Sequence, residues 1–199
     1  MNPLTSVKGS LSTGFVLAIL FAVLAVDGGW NELGLARWLH IVAGISWIGL
    51  LYYFNAVQVP ALAEAAADKG GPGGAGITKY VAPRALLWFR WSALVTWLTG
   101  FWYLARAGAL GAFALGTGGD ELNAYQFVIG VGVWLGTIML FNVWALIWPN
   151  QKKILGIVPA TDEQKATARK TALYASRINY ILSIPMLLCM AGATHGLPF

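Results

Sequence analysis

The sequence has few charges, one cysteine and two histidines. Only 11% of its 199 residues are charged, 58% are hydrophobic, and the mean hydropathy is +0.65. The single cysteine, Cys189, excludes a disulfide within the chain, and the CxxCH motif that attaches a c-type haem does not occur. P-loop, dinucleotide-binding, HExxH and serine-nucleophile motifs do not occur either. This composition excludes an ordinary soluble domain and indicates a membrane protein.

Long apolar runs are abundant. Five of them reach the roughly 20 residues that a membrane-spanning helix needs, at residues 11–27, 33–59, 83–107, 125–148 and 173–195. Because polarity does not alternate within them, they predict helices and not the strands of a barrel. We therefore expect residues 1–199 to form one all-α membrane domain, a bundle of five transmembrane helices. The first run is expected to be a retained anchor, since no cleavage site follows Ala25.

The connecting segments differ in composition. Residues 63–80 and 108–125 are rich in glycine and are expected to have no fold of their own. Residues Thr161, Asp162 and Glu163 resemble a helix start, so the last helix is expected to begin near Asp162. No internal repeat is evident, which disfavours a transporter built from inverted halves.

Basic residues are distributed unequally between the two sides of these spans. Eleven of the 13 lysines and arginines fall on one side, and only Arg37 and Arg106 fall on the other. The positive-inside rule then predicts a cytoplasmic N-terminus and a C-terminus outside. The net charge of +5 follows from this topology in a lipid bilayer and does not indicate nucleic-acid binding.

The two histidines lie near the predicted outer ends of spans two and five. His40 shares a helical face with Gly44 and Trp47, and Gly44 would leave room beside the imidazole for a flat ligand. With His195 as a second ligand to the iron, this layer predicts a b-type haem between helices. Two histidines without carboxylate or thiolate neighbours suit zinc and copper less well. The alternative for His195 is a solvated histidine at a helix end. The alternative for Gly44 and the other glycines of the spans is ordinary helix packing.

A second polar layer lies near the inner ends of the spans. Its predicted substrate-binding members are Arg90, Arg177, Asn179, Asn150, Gln151 and Lys152. Convergence of these side chains would form a donor-rich pocket for a carboxylate or a planar anionic heterocycle. The alternative is that the arginines snorkel and the amides join helices. The pattern identifies no catalytic residue.

Four stretches carry a family resemblance. They are RWLHIVAGISWIGLLYYFN, LLWFRWSALVTWLTGF, NVWALIWPNQKKILG and SRINYILSIPMLLCMAGATH. Together they resemble the N-terminal membrane domain of bacterial membrane-bound urate oxidases, also called urate hydroxylases. The His40 helix alone is also similar to haem-binding membrane protoporphyrinogen oxidases. The main resemblance implies a multi-pass protein of the bacterial inner membrane that oxidises urate and passes electrons to a cytochrome c domain.

Two functions remain open at this point. The first is a urate-oxidase-like membrane redox protein that binds a b-type haem near the outer leaflet. Since the sequence contains no CxxCH, its electron acceptor is expected to be a separate cytochrome c or a quinone. The second is a non-catalytic structural subunit of a larger respiratory or photosynthetic membrane complex.

Overall fold

The computed structural model describes residues 2–25 and 29–198, and every regular element in these two ranges is helical. This confirms the all-α prediction. The chain divides into two compact units, Met1–Glu32 and Leu33–Phe199.

The first unit contains helix α1 (Val7–Ala25). Ser6 caps its N-terminus, because the Ser6 hydroxyl oxygen accepts a 2.9 Å hydrogen bond from the Gly9 backbone N–H. Only 6% of the residues in its most apolar stretch of 18 residues are buried, so most of its apolar side chains are exposed. Such exposure suits a helix whose surroundings are lipid and not water. Residues 26 and 27 of the predicted first run lie outside the described part of the chain.

The remaining helices are interrupted by short π-helical segments. They are α2 (Glu32–Tyr53), α3 (Val59–Ala67), α4 (Ala82–Arg106), α5 (Ala124–Phe141), α6 (Trp148–Ile154) and α7 (Asp162–His195). The π-helical segments are Phe54–Gln58, Ile77–Val81 and Asn142–Ile147.

A proline follows each π-helical segment within the first turn of the next helix: Pro60, Pro83 and Pro149. Proline has no N–H, and its ring collides with the carbonyl four residues earlier in a regular α-helix. The wider π turn, which bonds residues five apart, lets the helix continue past the proline. The second and fourth apolar runs therefore extend as helix to Ala67 and Ile154, beyond their predicted ends at residues 59 and 148.

Four helices in the described part of the chain are long and apolar enough to cross a membrane: Val7–Ala25, Glu32–Ala67, Ala124–Ile154 and Asp162–His195. Helix α4 is 25 residues long, but Arg84, Arg90 and Arg106 lower its apolarity, and it is not among the four. Several helices are thus compatible with a multi-pass membrane protein. The count of five spans and their orientation stay predictions.

The core of the second unit lies where α2, α4, α5 and α7 meet. Its buried members are Trp47, Leu51, Phe54, Leu86, Phe89, Ala93, Met139, Val143, Ile147, Ala175 and Met186. Helix α7 begins at Asp162, as the sequence predicts, because Thr161 and Gln164 form a reciprocal capping box.

The expectation that residues 108–125 have no fold of their own is wrong for the first part of this loop. Residues Leu110–Ala114 form a 3₁₀-helix, and Ala112 is fully buried. The Ala112 carbonyl oxygen would lie 2.2 Å from a Cβ atom at Gly130, so only glycine lets the loop approach α5 this closely. The Trp134 indole N–H also donates a 3.1 Å hydrogen bond to the Phe113 carbonyl.

Candidate functional site around His40

The His40 imidazole packs against the backbone of α4. Its Nδ1 lies 2.7 Å from the Thr96 carbonyl oxygen, and the side chain is partly buried. A carbonyl oxygen accepts hydrogen bonds but cannot donate one. In the neutral ring Nδ1 therefore carries the hydrogen, and the lone pair that binds a metal ion or accepts a proton is on Nε2. Metal-binding histidines in proteins are commonly oriented in this way, by a carbonyl or carboxylate bonded to the other ring nitrogen.

Gly100 makes the approach of His40 to α4 possible. A Cβ atom at Gly100 would lie 2.8 Å from Cε1 and 2.9 Å from Nδ1 of His40, closer than Cβ contacts are found. Thr96 thus orients the imidazole, and Gly100, one turn further along α4, provides the space for it.

We expect the substitution Gly100→Ala to destabilise the protein. The added methyl group must displace the imidazole or separate α2 from α4, which costs about 1–3 kcal/mol of unfolding free energy. Thermal unfolding of the detergent-solubilised protein measures this. Gly49→Ala on the exposed face of α2 is the matched control, since a Cβ atom there meets nothing within 4 Å. Equal stability of the two variants would contradict the close packing of His40 on α4.

The other residues predicted to surround the haem have different environments. A Cβ atom at Gly44 would lie 3.7 Å from the Thr96 methyl group, so this face of α2 is covered by α4. Trp47 is only 2% exposed and belongs to the core, where its indole N–H has no hydrogen-bond partner within the described chain. His195 is the last residue of α7 and is exposed. No described contact joins it to His40, so ligation of one iron by both histidines stays a prediction.

Arg37 lies one turn before His40 and contacts α4, the helix on which His40 packs. Its Nη2 donates a 2.9 Å hydrogen bond to the Tyr103 hydroxyl, and its Cζ lies 5.2 Å from the centre of the Tyr103 ring. From the sequence, Arg37 was expected to have a role in topology only. Its spacing of three residues from His40 was the available signal that the two share a helical face.

The inner polar layer separates into distinct groups. Arg90 and Lys152 come together, because Cζ of Arg90 lies 3.8 Å from the Trp148 ring centre and Nζ of Lys152 lies 6.0 Å from it. Contacts of this kind combine the charge of the cation with the negative face of the indole. Arg177 is exposed on α7, and Gln151 is partly buried in α6. These contacts bring together two of the six predicted substrate-binding residues.

Asn179 joins helices. It is fully buried, its Nδ2 donates to the Met139 carbonyl at 2.9 Å, and its Oδ1 accepts from Nδ2 of Asn142 at 2.8 Å. Asn55 is similar, because its Nδ2 donates to the Ser176 hydroxyl at 2.9 Å. The amides of this layer therefore tie α7 to the π-helical segments that follow α2 and α5, as interhelical hydrogen bonds do in membrane bundles.

Two buried acceptors in the same layer lack a partner. They are Oδ1 of Asn55 and Oε1 of Gln58, which lie on one π-helical segment, and neither has a hydrogen bond from any described residue. The two residues are 2% and 8% exposed. Unpaired buried acceptors are costly, so these oxygens are available to an N–H or O–H donor.

Two clefts are lined by residues of the second unit. A cleft of about 220 Å³ is lined by Asn150 of α6 together with Lys153, Glu163, Gln164, Thr167 and Ala168. An apolar cleft of about 390 Å³ between α4 and α5 is lined by Leu94, Trp97, Thr137, Leu140, Phe141 and Trp144. The Trp97 indole N–H donates a 2.8 Å hydrogen bond to the Thr137 hydroxyl. Asn150 thus faces a cleft that includes none of the other predicted substrate-binding residues.

Comparison with known proteins identifies one family. A family model described as urate oxidase N-terminal matches residues 28–112 and 122–199. The matched residues include His40, the α4 backbone on which it packs, and both polar layers, whereas α1 precedes them. No curated protein and no solved structure matches the chain.

Proposed function

Because the chain belongs to the urate oxidase N-terminal family, we propose that it is a membrane redox protein that holds a b-type haem through His40. In this proposal the chain crosses the bacterial inner membrane five times, with the N-terminus in the cytoplasm. His40 is then near the outer leaflet, and the electron acceptor is a separate cytochrome c or a quinone.

The orientation of the His40 imidazole is the observation that carries the proposal. The bond from Nδ1 to the Thr96 carbonyl leaves Nε2 as the ligating nitrogen, and Gly100 leaves space for the ring. Fixing the ring before a ligand arrives lowers the entropic cost of binding. These residues fit a haem as far as one axial ligand is concerned. A bound haem would supply one-electron chemistry; His195 is proposed as the second ligand.

At the inner face, Arg90 and Lys152 would attract an anionic heterocycle such as urate. Both cations contact the Trp148 ring, which places both positive charges around one side chain. The unpaired oxygens of Asn55 and Gln58 would accept hydrogen bonds from N–H groups of such a ligand. A guanidinium and amide oxygens together match a planar anion that also carries N–H donors.

We expect Arg90→Gln to weaken urate binding. Loss of one charge-assisted contact corresponds to about 1.5–3 kcal/mol, or roughly ten- to hundredfold in the dissociation constant. Equilibrium binding of radiolabelled urate to the purified protein measures the change. Arg84→Gln is the control, because Arg84 is exposed on α4, donates to the Tyr80 carbonyl and is not part of the Trp148 contact. An affinity equal to that of the control would remove Arg90 from the proposed site.

A structural subunit is the second candidate, and the amide bonds favour it. Asn179 was predicted to bind substrate, yet both the oxygen and the nitrogen of its side-chain amide form hydrogen bonds between helices. One experiment separates the two functions. Purified protein is mixed with haemin, urate and oxidised cytochrome c, and urate absorbance is followed. Consumption of urate that requires the protein supports the redox function; no consumption, together with purification as part of a larger complex, supports the structural one.

A further inference from the structure

The outer end of α2 brings a guanidinium and an imidazole to one face. Arg37 and His40 are three residues apart, which corresponds to about 4.5 Å along a helix. Both side chains contact α4, Arg37 at Tyr103 and His40 at Thr96. Since positions three apart lie on the same face of a helix, both residues face α4, with Arg37 nearer to the helix end.

Tyr103 holds the Arg37 guanidinium in place but does not neutralise it. The described contacts are one hydrogen bond to a neutral hydroxyl and the face of the same ring. A guanidinium has five N–H donors in a planar fork, and this bond uses one of them. The others suit a carboxylate, which can accept two parallel hydrogen bonds from one arginine.

We propose that Arg37, positioned by Tyr103, binds a carboxylate of the ligand whose metal is held by Nε2 of His40. This inference rests on the proposed function, and the carboxylate is then a propionate of the haem. The macrocycle carries its two propionates on one edge. A propionate at Arg37 and the iron at His40 orient that edge toward the outer end of α2. The Arg37–Tyr103 pair would therefore fix the rotation of the macrocycle about the bond from His40 to the iron.

The test compares haemin with haemin dimethyl ester, in which both propionates are capped and uncharged. Each is titrated into the purified full chain in lipid nanodiscs, and binding is read from the Soret band. The wild type should bind haemin about ten- to hundredfold more tightly than the ester, the range expected for a charge-assisted pair. Arg37→Gln should bind both ligands with equal affinity. Arg37→Lys should retain part of the preference, because it keeps the charge but loses the fork.

Arg84→Gln is the matched control. Arg84 lies at the opposite end of α4, where its guanidinium donates to the Tyr80 carbonyl, so this variant should keep the full preference for haemin. Equal affinity of the wild type for the two ligands would overturn the inference without any variant. If Arg37→Gln changed the affinities for haemin and for the ester by the same factor, the inference would also be overturned. That result is expected of an arginine that binds a lipid phosphate and not a propionate. No Soret shift with either ligand would overturn the proposed function as well.

Discussion

Replacement of His40 by alanine is expected to abolish haem binding. The bond to the Thr96 carbonyl leaves Nε2 of His40 available as the proposed ligand, and alanine offers no donor in its place. Loss of an axial ligand removes the bond that holds the iron at a defined position. The measurement is haem content and Soret absorbance of the purified variant, relative to wild type. We expect no Soret band above the free-haemin background.

His195→Ala is the comparison that assigns the second ligand. His195 is exposed at the end of α7, so its loss is not expected to disturb the core. If both histidines ligate, this variant should retain haem but show the spectrum of an iron that has lost one ligand. An unchanged spectrum would remove His195 from the site and leave His40 as the ligand. A wild-type spectrum in His40→Ala would contradict the assignment of His40 itself.

Replacement of Asn179 by alanine is expected to give the largest loss of stability. The side chain is fully buried and makes hydrogen bonds to the Met139 carbonyl and to Asn142. Alanine removes both bonds and leaves a small cavity with unpaired polar groups. Interhelical hydrogen bonds in membrane proteins are individually modest, so two bonds and the unpaired groups together cost about 2–3 kcal/mol. Thermal unfolding in detergent, followed by tryptophan fluorescence, measures the change.

Asn150→Ala is the matched control for this substitution. Nδ2 of Asn150 donates to the Leu146 carbonyl one turn earlier, so its hydrogen bond is local to one helix. We expect a change well under 1 kcal/mol, the range of surface substitutions. If Asn179→Ala were no less stable than Asn150→Ala, the amide bonds between α5 and α7 would not be a major source of stability.

The helices were predictable because the backbone of a long apolar run in a membrane must satisfy its own hydrogen bonds, which a helix does. The start of α7 was also predictable, since capping residues act locally. The ends of the second and fourth runs were not. Pro60 and Pro149 normally end a helix, but here a π turn precedes each and the helix continues. The packing that permits a π turn depends on neighbouring helices, and such information is not present in a local window of sequence.

The glycines show why a candidate site is harder to predict than a helix. Gly130 is covered by the Ala112 carbonyl and so leaves no space for a ligand. A Cβ atom at Gly132 would lie 3.2 Å from Cβ of Cys189, so Gly132 serves the packing of α5 on α7. Gly100 alone faces a histidine among these glycines within the described part of the chain. Composition predicts that glycines permit close approach, but not which group approaches.

Which groups contact each other in the polar layers could not be predicted from the sequence. His40 could be singled out from the sequence, because an ionisable side chain in a membrane-spanning helix is costly and usually has a partner or a function. Its partner, the Thr96 carbonyl, is a backbone atom, which no side-chain pattern indicates. Likewise, the pairing of Arg37 with Tyr103 depends on the antiparallel approach of α2 and α4. The register between two helices determines both contacts.

The proposed haem at His40 is best measured by a reduced-minus-oxidised visible spectrum of the purified protein. The protein is produced in cells supplied with a haem precursor, and its haem content is measured by pyridine haemochrome. We expect the bands of a b-type haem at one haem per chain, lost in His40→Ala and kept in Gly49→Ala. Purified wild-type protein without these bands, which also binds no added haemin, would contradict it.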